Sequence, residues 1–412
     1  MAAGRATWHA RANAVVLAYL AAAVVAIPVH AAGDAGRWLP VHLFLLGAVT
    51  NAVVIWTGHF TATLLRAPRP SGRAAAWRMA GLNVAVIALL IGVTGGLTVV
   101  TVIAAGLLAV VIAAHLTSLV RVARRGRGGS FAPTVWFYGA AAAALLAGVA
   151  AGTALVAGVP PGWYAHVYAA HVHLNVFGWV ALAVLGTEFG LWPMALRTRV
   201  DDRTARAARR TLPACTAGLT ITVAGLLADA RPITVAGLVV YLAGVAMSLD
   251  PFVRTAWRRH PRGPATWMLA AGTGWLLIAL GADVAAVLRT RDVAEVADRV
   301  GGFVPWLLAG FVAQVLAGAL TYLLPVVLGR GPAGARRAVA LLDRWGAART
   351  VGINAGVAAI ALPLPTIAAA AGWALAVASL AAFVGLAAAV VVITRRGPTA
   401  PVRSGQRPVR HV

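Results

Sequence analysis

Twelve apolar runs, each long enough to cross roughly 30 Å of hydrocarbon as a helix, alternate along the chain with short polar connections. They lie at Asn13–Ala32, Leu39–Leu65, Met79–Gly95, Leu97–Val120, Thr134–Gly158 and Ala165–Leu196 in the first half. Thr211–Ala228, Pro232–Phe252, Ala265–Leu288, Phe303–Leu328, Thr350–Ala371 and Trp373–Thr394 follow in the second. No connection is long enough for a soluble domain; the longest are the arginine-rich stretches around Asp201 and Arg336 and a segment around Glu295. The pattern predicts an all-α integral membrane protein of about 12 transmembrane helices, forming one polytopic domain over residues 1–412.

The polar positions then orient the chain. With a cytoplasmic N-terminus, alternate crossing puts 30 arginines in inner loops and tails and only Arg37, Arg231, Arg289, Arg291 and Arg299 outside. That asymmetry follows the positive-inside rule, so both ends are expected in the cytoplasm. The first segment has a second reading: Arg5 and Arg11, an apolar run and the small residues Ala31 and Ala32 also resemble a secretory signal with its cleavage site. A retained helix is the expectation adopted, and either reading brings His42 into the membrane from outside.

Composition narrows the classes. With 61% hydrophobic and 11% charged residues among 412, a soluble core has no room for the apolar side chains, and membrane lipid is the expected surrounding. A net charge of +24 suggests nucleic acid in a soluble protein, but here the arginines cluster between apolar runs instead of lining one amphipathic face, so no nucleic-acid partner is expected. All 35 basic residues are arginine, beside abundant Ala, Gly and Val, as in a GC-rich bacterial genome; the bacterial cytoplasmic membrane is the expected location. Cys215 is the only cysteine, which excludes intrachain disulfides, Cys-liganded iron–sulfur clusters and the attachment motif of c-type haem. A metal centre must draw on His, carboxylate or Met.

The histidines sit on a repeat. Aligned without a gap, Val41–Arg66 and Val172–Arg197 share 9 of 26 residues, among them His42 with His173 and Gly47 with Gly178. Each histidine precedes its inner arginine by 24 residues, about 36 Å of helix, so both lie at one depth in the outer leaflet. They fall on the second and sixth of twelve spans, as expected if a four-helix unit recurs, with pseudo-repeats near 13–122, 134–257 and 265–394. The tenth span would be the third equivalent; its polar residue is Gln314 and its match is weak.

Imidazoles within a membrane usually face a cavity, a partner or a metal. The sixth span carries His166, His171 and His173 beside Tyr164, Tyr168 and Asn175. At about 100° per residue His171 and His173 point about 200° apart, so a regular helix cannot turn both onto one ion, but it can serve two haem or metal sites on opposite sides. His42 and His173, at one depth, are the expected ligands of one bound haem, the alternative being a hydrogen-bonded helix contact. His166, near the outer boundary, is an interfacial side chain and a secondary metal-ligand candidate, for copper. His59 and His115 are placed near the inner surface and solvated, and His9, His260 and His411 are read as exposed. Glu188, about two turns above Arg197, is a candidate proton relay or the partner of an inner-loop arginine. Asp283, near the outer end of its helix, is expected to meet Arg289.

The run His171, Val172, His173, Leu174, with Gly178 and Trp179 and then Leu191, Trp192 and Pro193 at the inner end, resembles the His-x-His helix of haem-copper oxidase subunit I. The likeness is to the cbb-type oxidases and the nitric oxide reductase large subunits, and it is local to the second and sixth spans. Over most of its length the chain is more similar to NnrS-like haem and copper membrane proteins and to the membrane regions attached to some bacterial multicopper oxidases. The resemblance implies one or two haems, with copper as a further cofactor. It implies that His171 holds an active-site haem, while His173 and His42 hold a low-spin haem. It also implies an electron-donor partner or a multicopper oxidase.

The sequence departs from that pattern in ways that bear on function. The His-x-His falls on the sixth span rather than the tenth, no adjacent His pair appears on the seventh, and no His is followed by Tyr four residues later. The copper site of an oxygen reductase is thus missing as a motif. The expected function is that of a haem-binding membrane protein in electron transfer or nitric-oxide- or copper-related redox chemistry, an oxidoreductase activity being open, and not oxygen reduction. The alternative is a secondary transporter or metal permease of the cytoplasmic membrane.

Overall fold

A computed structural model describes residues 2–31, 36–68, 72–126, 132–329 and 331–396. His411 and the small-residue site at Ala32 lie outside them. Among the described residues there is no strand, and thirteen helices account for the chain. They are α1 (Ala2–Ala31), α2 (Trp38–Leu64), α3 (Gly72–Thr94), α4 (Thr98–Arg125), α5 (Ala132–Ala157), α6 (Pro161–Ala195) and α7 (Thr204–Leu227). Then come α8 (Arg231–Arg258), α9 (Pro264–Arg289), α10 (Val293–Leu328), α11 (Gly331–Leu342), α12 (Gly346–Ala361) and α13 (Thr366–Arg396). Eleven of them are long and apolar enough to span a membrane, and the chain is an all-α polytopic membrane protein.

The eleventh apolar run of the sequence is the exception. It becomes α12, a helix of 16 residues, about 24 Å long and short of the hydrocarbon thickness. Pro363 and Pro365 cause this: neither has an N–H for a helical bond, and the chain leaves the helix at Leu362 and re-enters it at Thr366. Between α10 and α12, α11 is a short helix that buries only Ala338 and Leu342.

Three helices form the centre. In their most apolar stretch α2, α6 and α10 bury 56%, 78% and 72% of their residues, against 22–39% for the other eight spanning helices. The outer helices pack as sequential neighbours around them, and α1 packs against α13, which brings the two ends of the helical chain together. The closest of these neighbours are α7 and α8. Gly218 and Gly237 let the two backbones meet: a Cβ on Gly218 would stand 2.5 Å from the Tyr241 amide nitrogen.

The three central helices share a local distortion. Each is interrupted by a π-helical turn: Leu43–Val49 directly after His42, Leu174–Ala181 directly after His173, and Leu308–Ala313 in α10. One glycine lies in each turn, Gly47, Gly178 and Gly310. A Cβ on Gly178 would come within 2.5 Å of Ala144, and one on Gly310 within 2.7 Å of the Trp275 ring. Both α2 and α6 end on an arginine in the left-handed region, Arg66 at φ 49° and Arg197 at φ 52°. There Ala67 N–H bonds the Ala62 carbonyl and Thr198 N–H bonds the Pro193 carbonyl, which closes the last helical turn in the same way at both inner ends.

Amide pairs lock α2 and α10 to their neighbours at matching levels. Asn51 and Asn83 of α3 exchange side-chain hydrogen bonds of 3.3 and 2.9 Å. Gln314 and Asn354 of α12 do the same at 3.2 and 2.8 Å. An amide buried in the bilayer without a partner costs several kcal/mol, about what an unpaired backbone group costs there, so these reciprocal pairs fix the rotation of each helix.

Candidate functional site

In the outer half of the bundle, α2 and α6 bring two imidazoles close together. The rings of His42 and His171 lie 6.4 Å apart between centres, with their planes inclined by 26°. The His42 ring also stacks on Trp38 at 4.1 Å. Its Nδ1 meets the Trp38 carbonyl at 2.7 Å, and Nδ1 of His171 meets the Gly148 carbonyl of α5 at 2.9 Å. A carbonyl oxygen only accepts, so in both rings Nδ1 carries the proton and donates, and Nε2 keeps its lone pair. No described residue hydrogen-bonds either Nε2. Asn175, one helical turn on from His171, donates to the His171 carbonyl at 2.7 Å and fills the space beside Gly148. Gly152 clears room for the ring, since a Cβ there would come within 2.8 Å of His171 Cε1.

The ring that approaches His42 is therefore His171, not the expected His173. His173 turns to the other side of α6, as the angular spacing predicts, and meets Asp283 of α9, with Nε2 to Oδ2 at 2.8 Å. The two side chains are 1% and 0% exposed. Nδ1 of His173 is bound to the Ala169 carbonyl at 2.7 Å and so carries a proton, which leaves one further proton shared between Nε2 and the carboxyl group. Whether that proton rests on nitrogen or oxygen, the pair is neutral as a unit. Both nitrogens of His173 are engaged, and Asp283 meets His173 instead of Arg289.

Trp179 joins the two helices below the histidines: its Nε1 donates to Thr50 Oγ1 at 3.1 Å. His166 is held elsewhere, with Nδ1 on the Leu226 carbonyl of α7 at 2.8 Å and its ring 5.8 Å from Trp163. Among the described residues no group of three or more His, Cys, Asp or Glu side chains has the arrangement of a metal site.

Farther in, α2, α6 and α10 surround a cavity of about 80 Å³. Its walls are almost wholly apolar; Thr57, Thr187 and Glu188 are the polar exceptions. Glu188 is 3% exposed, its two oxygens each lie 3.1 Å from the Thr273 hydroxyl of α9, and no arginine among the described residues pairs with it.

Two histidines near the inner surface differ from the sequence expectation. His115 is buried and its Nε2 lies 2.9 Å from Thr57 Oγ1. His9 is also buried, stacked on Trp56 at 5.4 Å and edge-on to His59 at 5.1 Å. Length along a helix says nothing of the rotation of α1 and α4 that turns these side chains onto α2. His260 is exposed, as expected.

These features define a class: a polytopic helical membrane protein whose central helices carry paired histidines inside the apolar layer. No protein-family model matches the chain, and no curated protein matches it.

Proposed function

We propose that this chain is a haem-binding protein of the bacterial cytoplasmic membrane, related to haem-copper oxidase subunit I, in which His42 and His171 would hold the haem. The observation that carries the reading is the separation of their rings. An imidazole nitrogen binds a metal at about 2.0–2.1 Å, so two rings that shared one metal would have their centres no more than about 6.5 Å apart, and 6.4 Å separates these two. The carbonyl bonds from each Nδ1 hold the neutral tautomer and aim the chelating nitrogen away from the main chain, as the outer shell of a metal-bound histidine does. His173 has no free lone pair, which moves the second ligand from the residue expected to the one two positions earlier.

A haem so held supplies one-electron redox chemistry, and electron transfer or nitric-oxide-related chemistry is the activity proposed. Copper is the other metal suited to two imidazoles. The neighbouring residues do the rest: the neutral His173–Asp283 pair braces α6 against α9, and Glu188 is placed to hold a proton beside the central cavity. An electron donor or a multicopper oxidase is the proposed partner.

The cavity also favours a second reading. A chamber at the meeting of α2, α6 and α10 with one carboxylate in its wall suits a secondary transporter or metal permease. Colour separates the two. Protein purified from haem-supplied cells should show a Soret band and iron on metal analysis; colourless, iron-free protein would remove the haem reading and leave the transporter.

A further inference from the structure

At their inner ends α7 and α8 form a cleft of about 330 Å³ lined by Arg203, Arg206, Ala207, Arg210, Met247 and Asp250. The arginines stand at i, i+3 and i+7, one face of α7. Arg203 pairs with Asp250 at 3.5 Å, and Asp250 also binds Arg254 of its own helix at 2.8 Å. Arg206 and Arg210 are exposed and no described residue forms an ion pair with them. The cleft thus gathers three guanidinium groups around one carboxylate that a fourth guanidinium already shares. Arg206 and Arg210 also sit in the first two turns of α7, with Arg203 at its N-cap, where the helix dipole makes unneutralised cations unfavourable.

Toward the membrane centre the surface changes character without a break. On α8 the exposed stripe runs from Asp250 through Met247, Ala243 and Val240 to Ala236, at alternating steps of three and four. Toward the inner surface the same stripe continues to Arg254 and Trp257, the latter 76% exposed, and tryptophan favours the headgroup level of a bilayer. A cationic cleft at headgroup depth that opens onto an apolar track has the polarity of a phospholipid.

We propose that this cleft binds the phosphate headgroup of an anionic phospholipid of the inner leaflet, with Arg206 and Arg210 on the phosphate and an acyl chain along Met247 and Val240. A free phosphate would gain the arginines but not the track, so the amphiphile is the occupant the surface favours. The site is independent of the haem reading.

Native mass spectrometry of the purified full chain tests it, with cardiolipin, phosphatidylcholine and inorganic pyrophosphate as probes. The wild type should retain cardiolipin over phosphatidylcholine, and Arg206→Gln/Arg210→Gln should retain about tenfold less. The outer-side double variant Arg289→Gln/Arg291→Gln, with the same loss of charge, should retain cardiolipin like the wild type. Asp250→Asn should retain more, which keeps the test in force if the double variant does not fold. Equal retention by wild type and cleft variant, an equal loss in the outer-side control, unchanged or reduced retention by Asp250→Asn, or displacement by pyrophosphate at matched concentration would each overturn the proposal.

Discussion

His173 and Asp283 form a neutral, fully buried pair across α6 and α9, 2.8 Å from Nε2 to Oδ2, while His171, two residues earlier, turns its ring to His42. One stretch of α6 thereby serves two different contacts on opposite sides, and only one of the two histidines retains an uncommitted nitrogen. The π turn that begins at Leu174 directly follows this stretch, and such turns re-aim the side chains around them.

Removing the carboxylate should be costly. Asp283→Ala leaves a buried His173 Nε2 with no partner, and an unsatisfied buried polar group costs about 1–3 kcal/mol. Asp283→Asn keeps a hydrogen-bonding group and should cost less. Thermal unfolding in detergent, followed by loss of monodisperse protein, ranks the three. A wild-type melting temperature for Asp283→Ala would show that the pair does not hold α6 to α9.

The close approach of α7 and α8 makes a second stability prediction. Gly218→Ala forces a Cβ against the Tyr241 backbone, which cannot move as a side-chain tip can, and overpacking of this kind costs about 1–3 kcal/mol. Gly281→Ala, where nothing lies within 4 Å, should be neutral or slightly stabilising. The same melting assay compares them, and equal behaviour would contradict the packing described.

How far the sequence reached can be followed residue by residue. Span positions and the common depth of His42 and His173 come from hydrophobic length and the distance to arginine, both one-dimensional quantities. The opposite directions of His171 and His173 also follow from helical period alone. Which of them meets α2 does not, because that depends on Asp283, 110 positions away, and on the Gly148 carbonyl of another helix. The burial of His9 and His115 depends in the same way on a facing helix, α2. The third π turn, in α10, lacks a histidine to mark it. Gly178 with Gly310 and Pro193 with Pro325, each 132 residues apart, are the signal that a search for repeated histidines passes over. In the eleventh run apolar length alone hides the break at Pro363 and Pro365, whose missing amide donors end the helix.

Topology is open to direct labelling. Cys215 is the only cysteine and is buried, so Cys215→Ser gives a background for single reporters. α12 packs antiparallel on α13, with Gly356 against Gly372 and Gly352 against Ser379, so the hairpin returns the chain to the side it left; a cysteine at Ser404 should react only after the membrane is made permeable, and one at Glu295 should react in intact cells. The reverse pattern would invert the orientation drawn from the arginines.

The assignment of His42 and His171 to the haem is tested most directly by paramagnetic resonance of the ferric protein in His42→Ala, His171→Ala and His173→Gln, each checked for folding. A low-spin signal in the wild type that is lost in the first two variants and kept in the third is the predicted result. A wild type without haem, or a signal that survives His171→Ala and disappears in His173→Gln, would contradict the pairing of His42 with His171.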